Sequence, residues 1–206
     1  MKIVVLAAGT STEREVSIVS GTEVCKALRS RGHQAILVDV FFGKEGADPA
    51  TAFDGDYDVD VEAAYISSFN AQVKDAVASG REFFGPGVIE LCKAADVVFM
   101  ALHGANGEDG RVQAYFDLCG IPYTGTGYLS SAMAMDKGIT KKIFRTSGVP
   151  TPRGVELKKG KDSMNLADYN MELPVVVKTC CGGSSVGVYI TKTPEEYEEA
   201  LKGAFS

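Results

Sequence analysis

The amino-acid sequence predicts an α/β protein in which a parallel-sheet domain is followed by a smaller α+β unit. Residues 2–8 are continuously apolar, as in a strand that is buried on both faces of a parallel sheet. A helix signal follows and then a second apolar run at residues 35–40, which together form a βαβ unit. Beyond Pro150 and Pro152, short strands surround a glycine-rich loop and precede a helix, which indicates a separate small unit.

The first helix is predicted to follow a turn at Gly9. Thr12 and Glu15 have the spacing of a capping box, so the helix should begin there, and Gly32 is a suitable stop. The residues expected to line one face of this helix are Val16, Val19, Ala27 and Leu28.

Residues 43–85 give weaker signals, with one helix expected near residues 68–78. The acidic run DGDYDVDVE invites comparison with a calcium loop. An EF-hand starting at Asp54 would need glycine and glutamate where Val59 and Tyr65 stand. We therefore interpret the run as a solvated acidic turn.

The later elements follow from apolar runs and from Gly and Pro punctuation. Thr193, Pro194 and Glu196 form a helix start. The expected helices cover 86–94, 111–119, 137–147 and 193–205, and the expected strands cover 96–102, 153–157, 174–179 and 188–191.

Composition excludes several classes of function. The net charge of -6 and a pI near 5.0, without a basic stripe, argue against a nucleic-acid partner. No apolar run approaches the roughly 20 residues that span a bilayer, and the apolar N-terminus is too short for a secretory signal. We expect a cytoplasmic protein whose five cysteines are reduced thiols without zinc-type spacing.

Polar residues that could bind a ligand or take part in catalysis lie in loops that follow predicted strands or precede helices. In open α/β sheets, ligands bind at such loops. Glu13 stands at a helix N-terminus, where its carboxylate either caps the helix or holds a substrate ammonium group. His103 follows a buried strand within the loop HGANGEDG. Lys137 lies in MDKGITKK, where a solvent-facing role and a functional role both remain open.

The run LPVVVKTCCGGSSVGV, residues 173–188, is the most informative segment of the chain. Lys178 ends an apolar β-branched run, and burying its charge would be costly without an anion. Glycines, small hydroxyls and an ammonium group together suit a phosphate. The lysine precedes the glycines, so the loop is not a Walker A motif. GTGYLS (125–130) is not a dinucleotide fingerprint, which disfavours a nicotinamide-dependent enzyme.

Six motifs, in this order and spacing, resemble the D-alanine–D-alanine ligases of the ATP-grasp superfamily. The resemblance runs from residue 3 to residue 191 and is weakest over 43–85. The motifs are GTSTEREVSIVSG, ALHGANGEDGRVQ, IPYTGTG, MDK (135–137), GVPTP and VVVKTCCGGSSVGV.

The resemblance implies a Rossmann-like pre-ATP-grasp domain at 1–135 and the central lid subdomain of an ATP-grasp fold at 136–206. It also implies that ATP phosphorylates a first D-alanine and that the amine of a second attacks the acyl phosphate, with Mg²⁺ bridging the phosphates. The product would serve peptidoglycan precursor synthesis. ATP and D-alanine are the implied partners, together with a homodimer through the N-terminal domain.

The resemblance assigns roles to individual residues. Glu13 and Ser184 match the catalytic glutamate and the loop serine of its hydrogen-bond network, and His103 matches a histidine beside the first D-alanine. The residues that match ATP contacts are Lys137, Lys178, Gly183, Ser184, Ser185 and Val186. The Mg²⁺ ligands of the family belong to a third portion, so none is expected among these 206 residues.

Two departures from the family pattern leave alternatives open. The loop reads KTCCGG where the family commonly has proline after the lysine, and its Cys180 and Cys181 are either oxidation-sensitive or buried. The family's third portion has no counterpart after residue 206. The chain is then either part of a ligase, expected to be inactive alone, or a non-catalytic relative that binds nucleotide or another partner.

Overall fold

A computed structural model describes residues 1–183 and 187–205 and divides the chain into two units, Met1–Ala132 and Met133–Ser206. The first unit contains a parallel sheet with helices on both faces. The second contains a two-stranded antiparallel sheet with helices. Both architectures agree with the predicted α/β and α+β parts of the chain.

The sheet of the first unit has β1 (Lys2–Ala7) between β2 (Gln34–Asp39) and β3 (Val97–Met100), all parallel. Alternate side chains of the strands enter two separate cores. Val4 and Leu6 pack on one face, and Val5 and Ala7 pack on the other. Because both faces are covered, the strands read as continuous apolar runs, and the predicted buried strands are confirmed.

The helices of the first unit connect these strands and cover the sheet. They are α1 (Arg14–Ser30), α2 (Val59–Ser67), α3 (Val73–Ala78), α4 (Val88–Ala94), α5 (Arg111–Cys119) and α6 (Tyr128–Met135), with a 3₁₀ turn at Asn70–Gln72. The predicted helix at 111–119 is confirmed with both its bounds. Its neighbours Gly110 and Gly120 adopt positive φ, which glycine accepts without strain.

Two expectations for α1 are wrong. The capping box of Thr12 and Glu15 does not form, since the helix begins at Arg14 and Glu13 is its N-cap residue. Val16 and Val19 are exposed. The face turned to the sheet carries small and polar residues instead, because the helix approaches the strands closely; its buried members are Arg14, Ser17, Ile18, Gly21, Thr22 and Cys25.

The acidic run between residues 54 and 62 does more than form a turn. Its carboxylate at Asp58 caps α2 by accepting hydrogen bonds from the backbone N–H groups of Asp60 and Val61, at 2.9 and 3.2 Å. No pattern in the sequence predicted this helix, and the only helix expected in the segment lay near residues 68–78. Six of the nine residues of α2 are apolar but only Val59 and Ile66 are buried, so the apolar residues do not mark a single face of the helix.

The second unit contains α7 (Lys137–Thr146), a 3₁₀ turn at Leu166–Tyr169, β4 (Val175–Lys178), β5 (Val188–Thr191) and α8 (Pro194–Ala204). The predicted helix start of α8 is confirmed, and the structure shows a capping box there, in which Thr193 accepts from the backbone N–H of Glu196. The strand expected at 153–157 is wrong, since none of the described residues 151–157 forms one. Arg145 donates instead to the carbonyl oxygen of Gly154, so a helix side chain takes the place of a strand partner.

Candidate active-site residues

The loop after β1 is fixed to the loop after β3 by one serine. The Ser11 hydroxyl donates to the carbonyl oxygen of His103 at 2.7 Å and accepts from the backbone N–H of Glu13 at 3.1 Å. Residues 11 and 103 are far apart in the sequence, but their strands are neighbours in the sheet. The parallel topology therefore brings Glu13 and His103 to the same edge of the sheet, as the sequence predicted.

Glu13 is half-buried, and its side chain makes no capping hydrogen bond. Its Oε2 lies over Gly104, where a β-carbon would be only 2.8 Å away. Among the described residues, no hydrogen-bond donor or cation pairs with this carboxylate. The capping alternative for Glu13 is therefore excluded, and the carboxylate is available to a positively charged ligand.

His103 lies between a serine and a second carboxylate. Its Nε2 is 2.9 Å from the hydroxyl of Ser20, and its Nδ1 is 3.9 Å from Oε1 of Glu108. The other carboxylate oxygen of Glu108 accepts from the backbone N–H of Gly104 at 2.8 Å. The loop of His103 was predicted as a candidate site, but Ser20 and Glu108 were not, because only the fold brings them into contact with His103.

Arg14 is a buried cation directly beside Glu13. Its Nη2 lies 2.5 Å from Oδ2 of Asp39, and both side chains are almost completely buried. The other N–H groups of Arg14 donate to Oδ1 of Asp39 and to oxygens of Gly9, Ile66 and Asn70. Every donor of the guanidinium is thus paired, which ties the start of α1 to the end of β2.

Lys137 in the second unit holds the glycine-rich loop. Its ammonium group donates to the carbonyl oxygen of Gly182 at 2.7 Å, and its backbone N–H donates to that of Cys180 at 2.9 Å. The Asp136 side chain caps α7 through the backbone N–H of Ile139. Lys137 is therefore not a plain solvent-facing lysine, which was one of the two alternatives.

Lys178 ends β4 and is exposed, so the inference that its charge would be buried is wrong. Side chains alternate along a strand, and α8 packs against this sheet through Tyr197 and Ala200. Val176 and Lys178 lie on the alternate, open face. An exposed ammonium beside a glycine loop remains accessible to a phosphate group.

The described part of the glycine loop leaves little space for side chains at its glycines. Gly182 and Gly187 have φ values of +127° and +71°, and β-carbons at these positions would lie 3.3 and 3.1 Å from atoms of the Thr179 side chain. Larger residues would be strained there. Gly183 is exposed, whereas Ser184, Ser185 and Val186, which the resemblance also assigns to ATP, lie outside the described residues.

A third lysine accompanies this loop and was missed from the sequence. The pKa of Lys141 is lowered by partial burial, and also by the positive charges of Arg145 and Lys178. Its neighbour Lys142 behaves oppositely, because an ion pair with Glu156 at 2.7 Å raises its pKa. A cation crowded by other cations marks a place that favours an anion.

The cysteines divide by exposure. Burial raises the pKa of Cys25 to about 11 and that of Cys92 to about 12. Cys180 is half-buried and its pKa is raised mainly by burial, while Cys181 is exposed. Cys180 is therefore not an activated thiol, and of the pair Cys181 is the accessible one.

The described part of the chain contains no group of three or more His, Cys, Asp or Glu residues that is placed to hold a metal ion. No helix within the described ranges is long and apolar enough to cross a membrane.

Two family models cover most of the chain. The model described as D-ala D-ala ligase N-terminus matches residues 2–126, and the model described as D-ala D-ala ligase C-terminus matches residues 143–206.

Curated relatives agree with both models. A D-alanine–D-alanine ligase from Lacticaseibacillus casei is 41% identical over 210 residues, and one from Pediococcus pentosaceus is 40% identical over 216 residues. Both alignments include 100% of this chain but only 58% and 59% of the relatives. The chain thus spans somewhat more than half the length of these relatives.

Solved structures with this fold include a D-alanine–D-alanine ligase from Bacillus anthracis complexed with ATP. It is 30% identical, with a TM-score of 0.68 over 100% of this chain and 55% of the other. A D-Ala:D-Ser ligase from Enterococcus faecalis is 25% identical, with a TM-score of 0.71 over 99% and 59%.

The parallel-sheet unit and the small antiparallel unit are thus the N-terminal and central parts of an α/β ATP-grasp fold. The chain belongs to the D-alanine–D-alanine ligase family.

Proposed function

We propose that the protein carrying this chain is an ATP-dependent ligase that joins two D-alanines, and that this chain binds the first D-alanine and the phosphates of ATP. One observation carries the proposal. The half-buried carboxylate of Glu13 has no partner among the described residues and lies beside the loop of His103. Such a carboxylate suits the ammonium group of an amino acid.

The first unit supplies the amino-acid site in this proposal. Glu13 receives the ammonium of the first D-alanine, and His103 lies beside the substrate. Ser184, which the family resemblance matches to a catalytic serine, lies outside the described residues, and its catalytic role is part of the proposal. Arg14 keeps the backbone of Glu13 in place, because its five N–H groups are all engaged by the surrounding loops and Asp39.

The second unit supplies the phosphate site. Lys178 is exposed at the end of β4, and Lys141 is crowded by cations, so an anion would relieve the charge repulsion between them. Lys137 shapes the loop through the carbonyl oxygens of Cys180 and Gly182, while its ammonium group has three donors. The backbone N–H of Gly183, with Ser185 and Val186, completes the proposed ATP contacts.

The proposed reaction has two steps. A carboxylate oxygen of the first D-alanine attacks the γ-phosphorus of ATP, and ADP leaves. The neutral amine of the second D-alanine then attacks the acyl carbon, inorganic phosphate leaves with its bonding electrons, and the amine loses a proton. Positioning and charge neutralisation provide most of the acceleration in such transfers. Mg²⁺ would neutralise the phosphates, but the described residues form no metal cluster, so we assign none as its ligand.

The biological setting follows from the product. D-alanyl-D-alanine would enter peptidoglycan precursors, which are made in the cytoplasm. We further propose that the functional domains are residues 1–135 and 136–206 and that the protein forms a homodimer through the first.

Substitution of Glu13 tests the proposal. In the protein that carries this chain, Glu13→Gln should raise the KM for the first D-alanine at least about ten-fold, because a hydrogen bond between charged groups is lost. The KM for ATP should stay the same. D-alanine-dependent phosphate release measures both, with D-serine and D-lactate compared as second substrates.

Glu15→Gln is the matched control, since Glu15 is an exposed carboxylate in the first turn of the same helix. It should behave as the wild type. Equal effects of the two substitutions, or an equal effect of Glu13→Gln on both substrates, would contradict the assigned role.

A further inference from the structure

Ser20, on α1, contacts the histidine of the proposed amino-acid site. Its hydroxyl oxygen lies 2.9 Å from Nε2 of His103, and both residues belong to the first unit. The motif GTSTEREVSIVSG contains this serine, but nothing in the sequence indicated a role for it. The hydrogen bonds of Ser20 do not depend on the proposed function, whereas any role of Ser20 in substrate binding rests on it.

The direction of this hydrogen bond follows from the other partner of the hydroxyl. The Ser20 oxygen is 2.7 Å from the carbonyl oxygen of Val16, one helical turn earlier. Two oxygens at that distance need a proton between them, and a carbonyl group can only accept. The single hydroxyl proton of Ser20 therefore points to Val16, a common arrangement for serine within a helix.

The Nε2 atom of His103 must then be the donor. With its only proton given to Val16, the Ser20 oxygen can meet the imidazole only through a lone pair. Whenever His103 is neutral, its proton lies on Nε2 and Nδ1 keeps its lone pair. Within the described ranges, the nearest charged group to Nδ1 is Oε1 of Glu108 at 3.9 Å, which is beyond hydrogen-bond distance.

This proton arrangement separates the cluster from a superficially similar one. Ser20, His103 and Glu108 occur in the order of a serine–histidine–carboxylate triad. A triad serine donates its proton to Nε2, which acts as the base. Here the serine proton is engaged by Val16 and Nε2 is itself protonated, so Ser20 is not an activated nucleophile.

We propose that Ser20 is a positioning residue, which fixes His103 as the Nε2–H tautomer and presents Nδ1 as a hydrogen-bond acceptor to the first substrate. A zwitterionic amino acid offers a suitable donor in its ammonium group, the same group that Glu13 would pair with. Loss of the Ser20 hydroxyl frees the ring to rotate and to exchange tautomers. The backbone of His103 stays held by Ser11 in either case.

Nuclear magnetic resonance of the imidazole nitrogens tests the tautomer without any substrate. The chain has two histidines, so His33 serves as an internal reference in the same spectrum. In ¹⁵N-labelled protein at a pH where both rings are neutral, His103 should carry its proton on Nε2 alone. A proton on Nδ1, or averaging between the two nitrogens to the extent seen for His33, would overturn the proposal.

Two variants separate the hydroxyl from the rest of the side chain. Ser20→Ala should give tautomer averaging at His103, and it should fold because alanine favours helices. Ser20→Thr keeps a hydroxyl that can reach the carbonyl one turn earlier, so it should preserve the Nε2–H signal. Identical His103 spectra in the two variants would refute the role of the hydroxyl.

Kinetics extend the test to substrate binding. In the protein that carries this chain, Ser20→Ala should raise the KM for the first D-alanine about five-fold, the effect of one hydrogen bond. Ser20→Thr should restore it, and the KM for ATP should not change. An unaltered D-alanine KM would refute the positioning role. Absence of D-alanine turnover in the wild type would refute the proposed function instead, and the spectra would still decide the tautomer.

Discussion

Replacing Arg14 by leucine tests whether a buried ion pair holds the loop that carries Glu13. The side chains of Arg14 and Asp39 are only 6% and 1% exposed, and their closest atoms are 2.5 Å apart. The substitution removes the cation but leaves the carboxylate of Asp39 inside the protein. The Asp39 carboxylate would then accept only from the backbone N–H groups of Phe41 and Phe42, at 2.8 and 3.2 Å.

The structure sets the expected size of this effect. Removing one member of a buried ion pair costs about 3–5 kcal/mol, because the other charge stays buried without compensation. A domain is stabilised by only about 5–15 kcal/mol, so Arg14→Leu should remove a large part of the free energy of unfolding. Arg14→Leu combined with Asp39→Asn should recover part of the loss, since the buried negative charge is then gone.

Lys26→Leu is the matched control on the same helix. The ammonium group of Lys26 lies 2.6 Å from Asp60, but the two side chains are 40% and 72% exposed. Exposed pairs contribute little, so this variant should unfold as the wild type does. Urea denaturation followed by far-ultraviolet circular dichroism suits a chain that has no tryptophan. A loss below about 1 kcal/mol for Arg14→Leu would refute the argument from burial.

Three further predictions concern single features. Iodoacetamide should alkylate the exposed Cys181 first. Cys92 should react only on unfolding, because burial raises its pKa to about 12. Equal rates of alkylation in intact-mass spectra would contradict this. Thr193→Ala should destabilise α8 by about 1 kcal/mol, seen as faster amide hydrogen exchange in that helix, whereas unchanged exchange would argue against the cap. Lys141→Met should raise the KM for ATP. Lys142→Met should not, because it loses only a surface ion pair. Equal KM values for the two variants would contradict a role of Lys141 in phosphate binding.

Local signals predicted the elements whose causes are local. The strands β1, β2 and β3 appear as apolar runs because helices cover both faces of their sheet. The glycines at 110 and 120 bound α5, and Thr193 with Glu196 starts α8, as expected. In each of these cases the signal and the structure it causes lie within a few residues of each other.

Expectations failed where a distant residue decides the structure. The hydroxyl of Ser11 accepts from Glu13 and donates to His103, so the start of α1 depends on a loop 92 residues away rather than on Thr12. The segment 153–157 is not a strand, and side chains of α7 instead donate to the carbonyl oxygens of Pro152, just before it, and of Gly154 within it. Periodicity within one segment does not contain this information.

The candidate site shows the same division. Glu13, His103, Lys137 and Lys178 were proposed from the sequence because strand ends and glycine loops are visible in it. Ser20 and Glu108 were not found, since each gains its role only through a contact with His103. Lys141 was hidden among neighbouring lysines, and its pKa is lowered by burial and by nearby cations that only the fold brings together.

The most direct measurement is a crossed kinetic comparison of Glu13→Gln and Lys178→Ala in the protein that carries this chain. D-alanine and ATP are each varied while the other is saturating. Glu13→Gln should raise only the KM for the first D-alanine, and Lys178→Ala should raise only the KM for ATP, each by at least about ten-fold. If both substitutions affect the same substrate, or Lys178→Ala leaves the rate unchanged at limiting ATP, the two sites are wrongly assigned.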